Sequence, residues 1–368
     1  AVLREVKKSD GNIIEQKSAN VTARWETAHK RDAGIELGWM KDALTLNVDL
    51  YDEQRYDMLV TPQNITPFVG IAYKDVNTGR MKKHGFDVEL KYRNTTAKGF
   101  YWEVGGMLGM NENRILNYED PPYTPDYQKI AGKPYKAQSN GMNSIGNGYF
   151  NTIDEIHGYP STLTVWNYVY PGILKLLDYN GDGLITTTDM HAIEGNAYSP
   201  VTYSFSAAFG YKRFNFRMLW YGNEGKYIDF NRGYLKEFIK GDYTMHVAQL
   251  DAWTPDHHDA THTTPSINDS FYSSFGGSGT GSGYTMALDG HSWRQSDFLT
   301  LKEIYLSYKF DGNKLYKTMG VKGLSITATA NNLLTFSNLV EGNPQRTSLS
   351  SSYYPLMRTV KLGVKLDF

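Results

Sequence analysis

A two-residue alternation of apolar and polar side chains, returning in segment after segment, limits what this chain can fold into more than any other feature. In residues 356–368, Val360, Leu362, Val364, Leu366 and Phe368 share one parity, and Lys361, Gly363, Lys365 and Asp367 share the other. Successive side chains of a strand point to opposite faces, so the spacing predicts a ribbon with one oily and one wet face. A soluble sandwich would press the oily face onto a second sheet, and a membrane barrel would turn it to lipid; one strand does not choose between them.

The connections do choose. Alternating segments fall at 33–39, 44–50, 86–92, 100–110, 203–211, 214–220, 298–310, 322–334 and 356–368. Short turns at Lys41, Asn94, Lys212 and Asp311 alternate with long links at about 60–81, 116–200, 231–295 and 336–355. Outer-membrane barrels segregate turn length in this way, with short periplasmic turns and long external loops. Trp39, Tyr92, Phe100, Trp102, Tyr211, Phe214 and Phe310 lie near the short-turn ends, where an aromatic girdle is expected. The prediction is an all-β fold: a transmembrane antiparallel β-barrel wall of about nine strands over residues 1–368, preceded by a polar, irregular stretch to Thr27. If the final strand ends in the periplasm, counting back brings the chain in from outside at Ala1. Bacterial single-chain barrels close with an even number of strands, so more are expected on the N-terminal side.

Composition narrows the function. The 38 basic and 39 acidic residues leave a formal charge of −1, which gives no general electrostatic reason to bind nucleic acid. The 28 Tyr, 16 Phe and 7 Trp suit membrane interfaces and sugar-binding surfaces alike. Cysteine is absent from the sequence, so disulfides and thiol chemistry are excluded. No run of about 18 apolar residues exists to make a spanning helix, but a barrel needs none, and its alternation suits the mean hydropathy of −0.50. The opening AVLREVKKSDGN lacks the apolar centre of a signal peptide, so a mature product or a fragment is expected.

One long link carries a ligand pattern. Asp178, Asn180, Asp182, Leu184, Thr186 and Asp189 occupy positions one, three, five, seven, nine and twelve of an EF-hand-type loop, with Gly183 at six. Hard oxygen ligands at these spacings point to a structural Ca²⁺ ion. Asp189 stands where the longer Glu is usual, and Pro171 argues against a full entering helix; a glycine-rich turn with solvated acids is the competing view. Asp256, His257, His258, Asp259 and His262 could suggest a transition-metal cluster, but Pro255 and Pro265 favour a polar loop. The run 276–283 lacks the flanking strand and helix of a phosphate-cradling loop. No catalytic serine–histidine–acid set emerges, so an enzyme is not expected. Tyr123, Tyr127, Tyr149, Phe150, Tyr168 and Tyr170 are candidates for stacking on a substrate's sugar rings, with loop packing as the alternative.

Several motifs together resemble the C-terminal part of SusC/RagA-type TonB-dependent outer-membrane transporters of Bacteroidetes. They are Trp25-Glu26-Thr27 leading to Gly34, Val48 to Tyr51, Asn77 to Gly79 with His84 to Glu89, Asn111 to Leu116, the Asp178 loop, Trp253 to Pro255 with Asp259-Ala260, Phe298 to Tyr308, Asn331 to Leu334, and Tyr354-Pro355 through the terminal Phe368. The resemblance implies a 22-stranded plugged barrel whose plug, TonB-contacting segment and early strands would lie before Ala1. It implies import of an oligosaccharide, or less often a peptide, beneath a SusD-type surface lipoprotein, with Phe368 as an assembly signal. A non-transporting structural or adhesion barrel is the alternative of another class.

Overall fold

The computed structural model describes residues 5–9, 12–17, 20, 22–62, 74–135, 144–160, 169–192, 195–229, 250–260, 293–310, 317, 320, 322–339, 342–346 and 356–367. Its main body is one antiparallel sheet of nine strands whose spatial order is their chain order. A hairpin precedes it, made of β1 (Glu5–Ser9) and β2 (Asn12–Lys17). The sheet comprises β3 (Thr27–Trp39), β4 (Leu44–Val60), β5 (Val76–Thr95), β6 (Phe100–Asn117), β9 (Val201–Tyr211), β10 (Phe214–Glu224), β13 (Phe298–Lys309), β14 (Gly323–Ser337) and β15 (Thr359–Asp367). The intervening links carry β7 (Ser144–Tyr149), α1 (Ile153–His157), β8 (Leu174–Leu176), β11 (Tyr227–Asp229) and β12 (Trp293–Gln295). No described helix is long and apolar enough to cross a membrane, which says nothing against crossing by strands.

Register aligns the apolar parity of all nine strands. Trp39, Leu44, Tyr92, Val104, Ala207, Met218, Ile304, Ala330 and Val360 are successive cross-strand partners. The neighbouring row is Gly38, Thr45, Lys91, Gly105, Ser206, Leu219, Glu303, Asn331 and Thr359. A slip of one residue would exchange the two faces, so the pattern itself holds the register. The apolar face is bare: Ile35, Leu90, Leu108, Phe205, Val360 and Val364 are exposed, and Leu362 is 80% exposed. The polar face carries ion pairs, within a strand at Lys91–Glu89 (2.5 Å) and Arg55–Glu53 (2.6 Å) and across strands at Arg217–Glu303 (2.8 Å).

Both rims of the apolar band are sharp. Toward the short turns, Phe209 stacks on Phe216 at 4.6 Å, Tyr92 tilts against Trp102 at 5.0 Å, and Tyr308 meets Phe310 edge-on at 4.9 Å. Toward the long links, the row Ala33, Leu50, Phe86, Met110 is followed two residues on by Arg31, Asp52, His84, Glu112. From Trp39 to Arg31 a strand rises about 27 Å, or about 20 Å once a barrel's tilt is allowed for, close to the height of a lipid-facing band.

The structure departs from the sequence-based expectation at strand ends and at the N-terminus. β4 and β5 run well past the alternating cores 44–50 and 86–92, which shortens the first long link to 61–75. A bulge at Asp57 (φ 58°) breaks the parity there and hides the continuation. The stretch to Thr27 is not wholly irregular, since β1 and β2 pair within it. Turns at 40–43, 96–99 and 212–213 are short as expected, but β13 and β14 are joined by 310–322, and the turn expected at Asp311 lies outside the described residues.

Candidate cation loop and external module

Two long links fold over one another on the loop side of the sheet and build the molecule's one described hydrophobic core. Tyr149, Phe150, Ile173, Leu176, Ile185, Trp253 and Ala260 form it, with Ile156, Tyr159, Val169, Tyr170 and Met190 packed against it. β7 pairs with β8, and the pairing continues as the Phe150 N–H donates to the Ile173 carbonyl at 3.0 Å. The Trp253 indole N–H, from the second link, donates to Asn151 Oδ1 at 2.9 Å.

Helix α1 is short and held by its first turn. Thr152 caps it, accepting from the Glu155 N–H at 3.2 Å, and Glu155 accepts in return from the Asn151 N–H at 2.9 Å. Glu155 also pairs with Lys175 at 3.0 Å. The Asn151 N–H, then Lys175, hold the Glu155 carboxyl below its ordinary range. Burial, with Asp178 nearby, pushes the Tyr159 hydroxyl up to about 12; it donates to the Leu176 carbonyl at 2.6 Å.

The candidate cation loop follows β8. Asp178 accepts from the N–H groups of Gly181 (2.7 Å) and Gly183 (2.9 Å), which curls the loop around its carboxylate. Both glycines have positive φ, 74° and 81°, which they adopt without the strain a Cβ would bring. Asn180 Nδ2 lies 3.1 Å from Asp182 Oδ2 and 2.9 Å from Thr188 Oγ1, and the hydroxyls of Thr186 and Thr188 are 2.6 Å apart. Side chains of the first, third, fifth and ninth positions are thus held in one tight loop.

The twelfth position behaves differently. Asp189 is fully buried, and its carboxylate accepts from the N–H groups of Tyr179 (2.9 Å), Asn180 (3.2 Å) and Thr186 (2.8 Å). Its short side chain braces the loop from inside and takes three of the roughly four acceptor directions a carboxylate has. Among the described residues no group of three His, Cys, Asp or Glu side chains is arranged to hold a metal ion. The loop thus curls around the Asp178 carboxylate, while the Asp189 carboxylate is engaged from inside by backbone N–H groups.

The loop is clamped by an earlier stretch of its own link. Tyr127 Oη and Gln128 Nε2 both donate to the Thr188 carbonyl, at 2.9 and 3.0 Å, and Tyr127 tilts against Tyr179, which stacks on His191 at 4.0 Å. The aromatic stacking candidates thereby separate. Tyr149 and Phe150, 0% and 1% exposed, are core residues, and Tyr170 packs against that core. Tyr127 braces the cation loop, Tyr123 is 96% exposed, and Tyr168 lies outside the described residues. Sequence spacing could not separate these rings because an irregular link has no parity. The histidine-rich stretch is an exposed turn: His257 Nε2 lies 2.7 Å from Asp251 Oδ1 and His258 stacks on Trp253, while His262 and the run 276–283 lie outside the described residues.

A meander with a bare apolar face, a polar opposite face, an aromatic rim and a folded loop module define the wall of an outer-membrane β-barrel. The chain is homologous to the TonB-dependent receptors of the SusC/RagA kind in Bacteroidetes. TonB-dependent receptor P3 of Formosa agariphila is 21% identical over 370 residues, covering 95% of this chain and 35% of the relative. TonB-dependent receptor SusC of Bacteroides thetaiotaomicron is 21% identical over 372 residues, covering 96% and 33%. A solved structure of the RagAB peptide transporter shares the fold over 100% of this chain and 38% of that one, with a TM-score of 0.67 and 18% identity. No protein-family model matches the chain. It spans about a third of the length of the curated relatives it matches, and among the described residues the nine strands of its main sheet form an open sheet.

Proposed function

We propose that this chain is the C-terminal part of a 22-stranded, plugged, TonB-dependent importer, non-catalytic, with its short turns in the periplasm and its module of long links outside. Energy would enter through TonB acting on the plug, and a SusD-type lipoprotein would close over the loops. The observation that carries this reading is the nine-strand apolar row from Trp39 to Val360, which only a lipid-facing wall explains without a second layer. A peptide substrate is favoured over an oligosaccharide. The solved structures sharing this fold include one described as a peptide transporter, and two of the aromatic rings that would suit sugar stacking are core residues. Tyr123 remains a candidate contact for either substrate.

Within this reading a Ca²⁺ ion would be held by Asp178, Asn180, Asp182, the Leu184 carbonyl and Thr186, with Asp189 organising the loop or meeting the ion through water. The ion would stiffen the external module and perform no chemistry. The test is purification of the full-length protein from native outer membranes, followed by identification of its partner and ligand and by uptake of labelled oligopeptides and oligosaccharides. Co-purification with a surface lipoprotein and saturable, TonB-dependent peptide uptake are expected. Oligosaccharide uptake alone would reverse the substrate choice, and the absence of both a plug segment and a lipoprotein would support a non-transporting barrel.

A further inference from the structure

Above the loop-side edge of the apolar face, strands β3 to β6 carry an unusual set of outward cations. The sheet register places His29, Gln54, Lys82 and Arg114 in one row, on the same face as Ile35, Leu50, Phe86 and Met110. Lys82 and Arg114 are direct cross-strand partners, and like charges in that relation repel. Arg114 leans on Glu112 of its own strand at 3.0 Å, and Glu112 also faces His84 at 3.8 Å. Lys82 has no ion pair among the described residues, and the described contact of Arg80 is the face of Tyr56, 5.8 Å away.

Directly above lies an open cleft of about 440 Å³, lined by Arg24, Asp57, Asn77, Arg80, Leu116 and Glu119. Asp57 is taken by Arg24 at 2.6 Å, whereas Glu119 accepts from the neutral Asn117 Nδ2 at 3.3 Å and stays in the cleft as an anion. Arg80 lines the cleft opposite that one carboxylate, Lys82 and Arg114 lie below it, and exposed Leu116 adds an apolar side chain to the lining. Asp52 and Glu112 occupy the row nearest the apolar band and limit the net charge there.

We infer that this patch binds the phosphate headgroup of an anionic amphiphile of the outer leaflet, whose acyl chains run down the apolar face over Phe86 and Met110. A phosphate between Lys82, Arg80 and Arg114 turns a like-charge repulsion into charge-assisted hydrogen bonds, and the guanidinium fork suits it. The position matters as much as the charge. The cations stand two to three side-chain steps beyond the last apolar row, on the side where a headgroup lies when its chains cover that row. This inference rests on the barrel reading and on the long links being external.

The test uses the full-length protein containing this segment, folded in uncharged detergent. Native mass spectrometry counts retained phosphatidic acid, phosphatidylcholine and inorganic phosphate on the parent and on R80Q/K82Q/R114Q, with the polar-face variant K83Q/K91Q as control. Retention of phosphatidic acid over phosphatidylcholine, lost about tenfold in the triple variant and unchanged in the control, is expected. Equal retention by parent and triple variant overturns the inference. So does binding of inorganic phosphate as tight as that of the lipid, which would make it a free-anion site. Heat-modifiable migration on gels shows that each variant is folded. Quenching of a fluorophore attached at Leu362 by brominated acyl chains tests the barrel reading separately, since it does not depend on headgroup charge.

Discussion

Single residues in the external module carry sharp, separable expectations. Thr152→Ala removes the cap of α1 and should cost about 1 kcal/mol of local stability, read as faster hydrogen exchange across 144–160 with the sheet unaffected. Glu155 has a depressed folded pKa, so the stability it gives is present above its unfolded value and fades as pH falls through the folded one. Lys226 has a linkage of the same sign, in a more alkaline window. It is buried, donates to the carbonyls of Pro344 and Arg346, and burial brings it from 10.5 down to about 8. Between those values the released chain binds more protons than the docked one, so docking of residues 342–346 should tighten as pH rises from 8 toward 10.5. A proteolysis rate in that loop that rises over the same window would contradict this. For the cation loop, Asp178→Ala should abolish calcium uptake in calorimetric titration of the chelator-stripped full-length protein, and uptake by that variant equal to the parent's would remove Asp178 from the site.

At the scale of elements the strand faces are the variable to test. Leu362 lies near the middle of the apolar row of β15, so Leu362→Arg should destabilise the folded barrel by about 2–4 kcal/mol, measured by reversible unfolding in lipid. Gly363→Arg would meet Thr327 on the other face and confuse sterics with polarity; Lys361→Arg is the cleaner polar-face control and should change little. Equal effects at 361 and 362 would refute the assigned faces. The strand cores were legible in sequence because a period of two survives without tertiary context. Their ends were not, because the bulges at Asp57 and Asn332 shift parity, and above the apolar band polar residues occupy both faces.

For the whole molecule, the open sheet leaves β3 and β15 as edges without a described neighbour. Unpaired edges template association, so residues 1–368 expressed alone in detergent should associate into large species, whereas the full-length protein should run as a compact, heat-modifiable form. A monodisperse monomer of this segment would count against barrel closure through further strands. The sequence by itself determined the antiparallel meander, the two faces of each strand and the lipid-facing side, because alternation and turn length are local quantities that each strand carries independently. It also marked the curl of the Asp178 loop, where glycine spacing and short acidic side chains act within a dozen residues. Only the tertiary structure decided which aromatics are core and which are surface, that Asp189 braces the loop from inside, and that Lys82 and Arg114 become cross-strand partners, with Arg80 two residues along, beyond the apolar band. Those facts depend on how distant links and strands pack against each other, and irregular links have no period from which such contacts could be read.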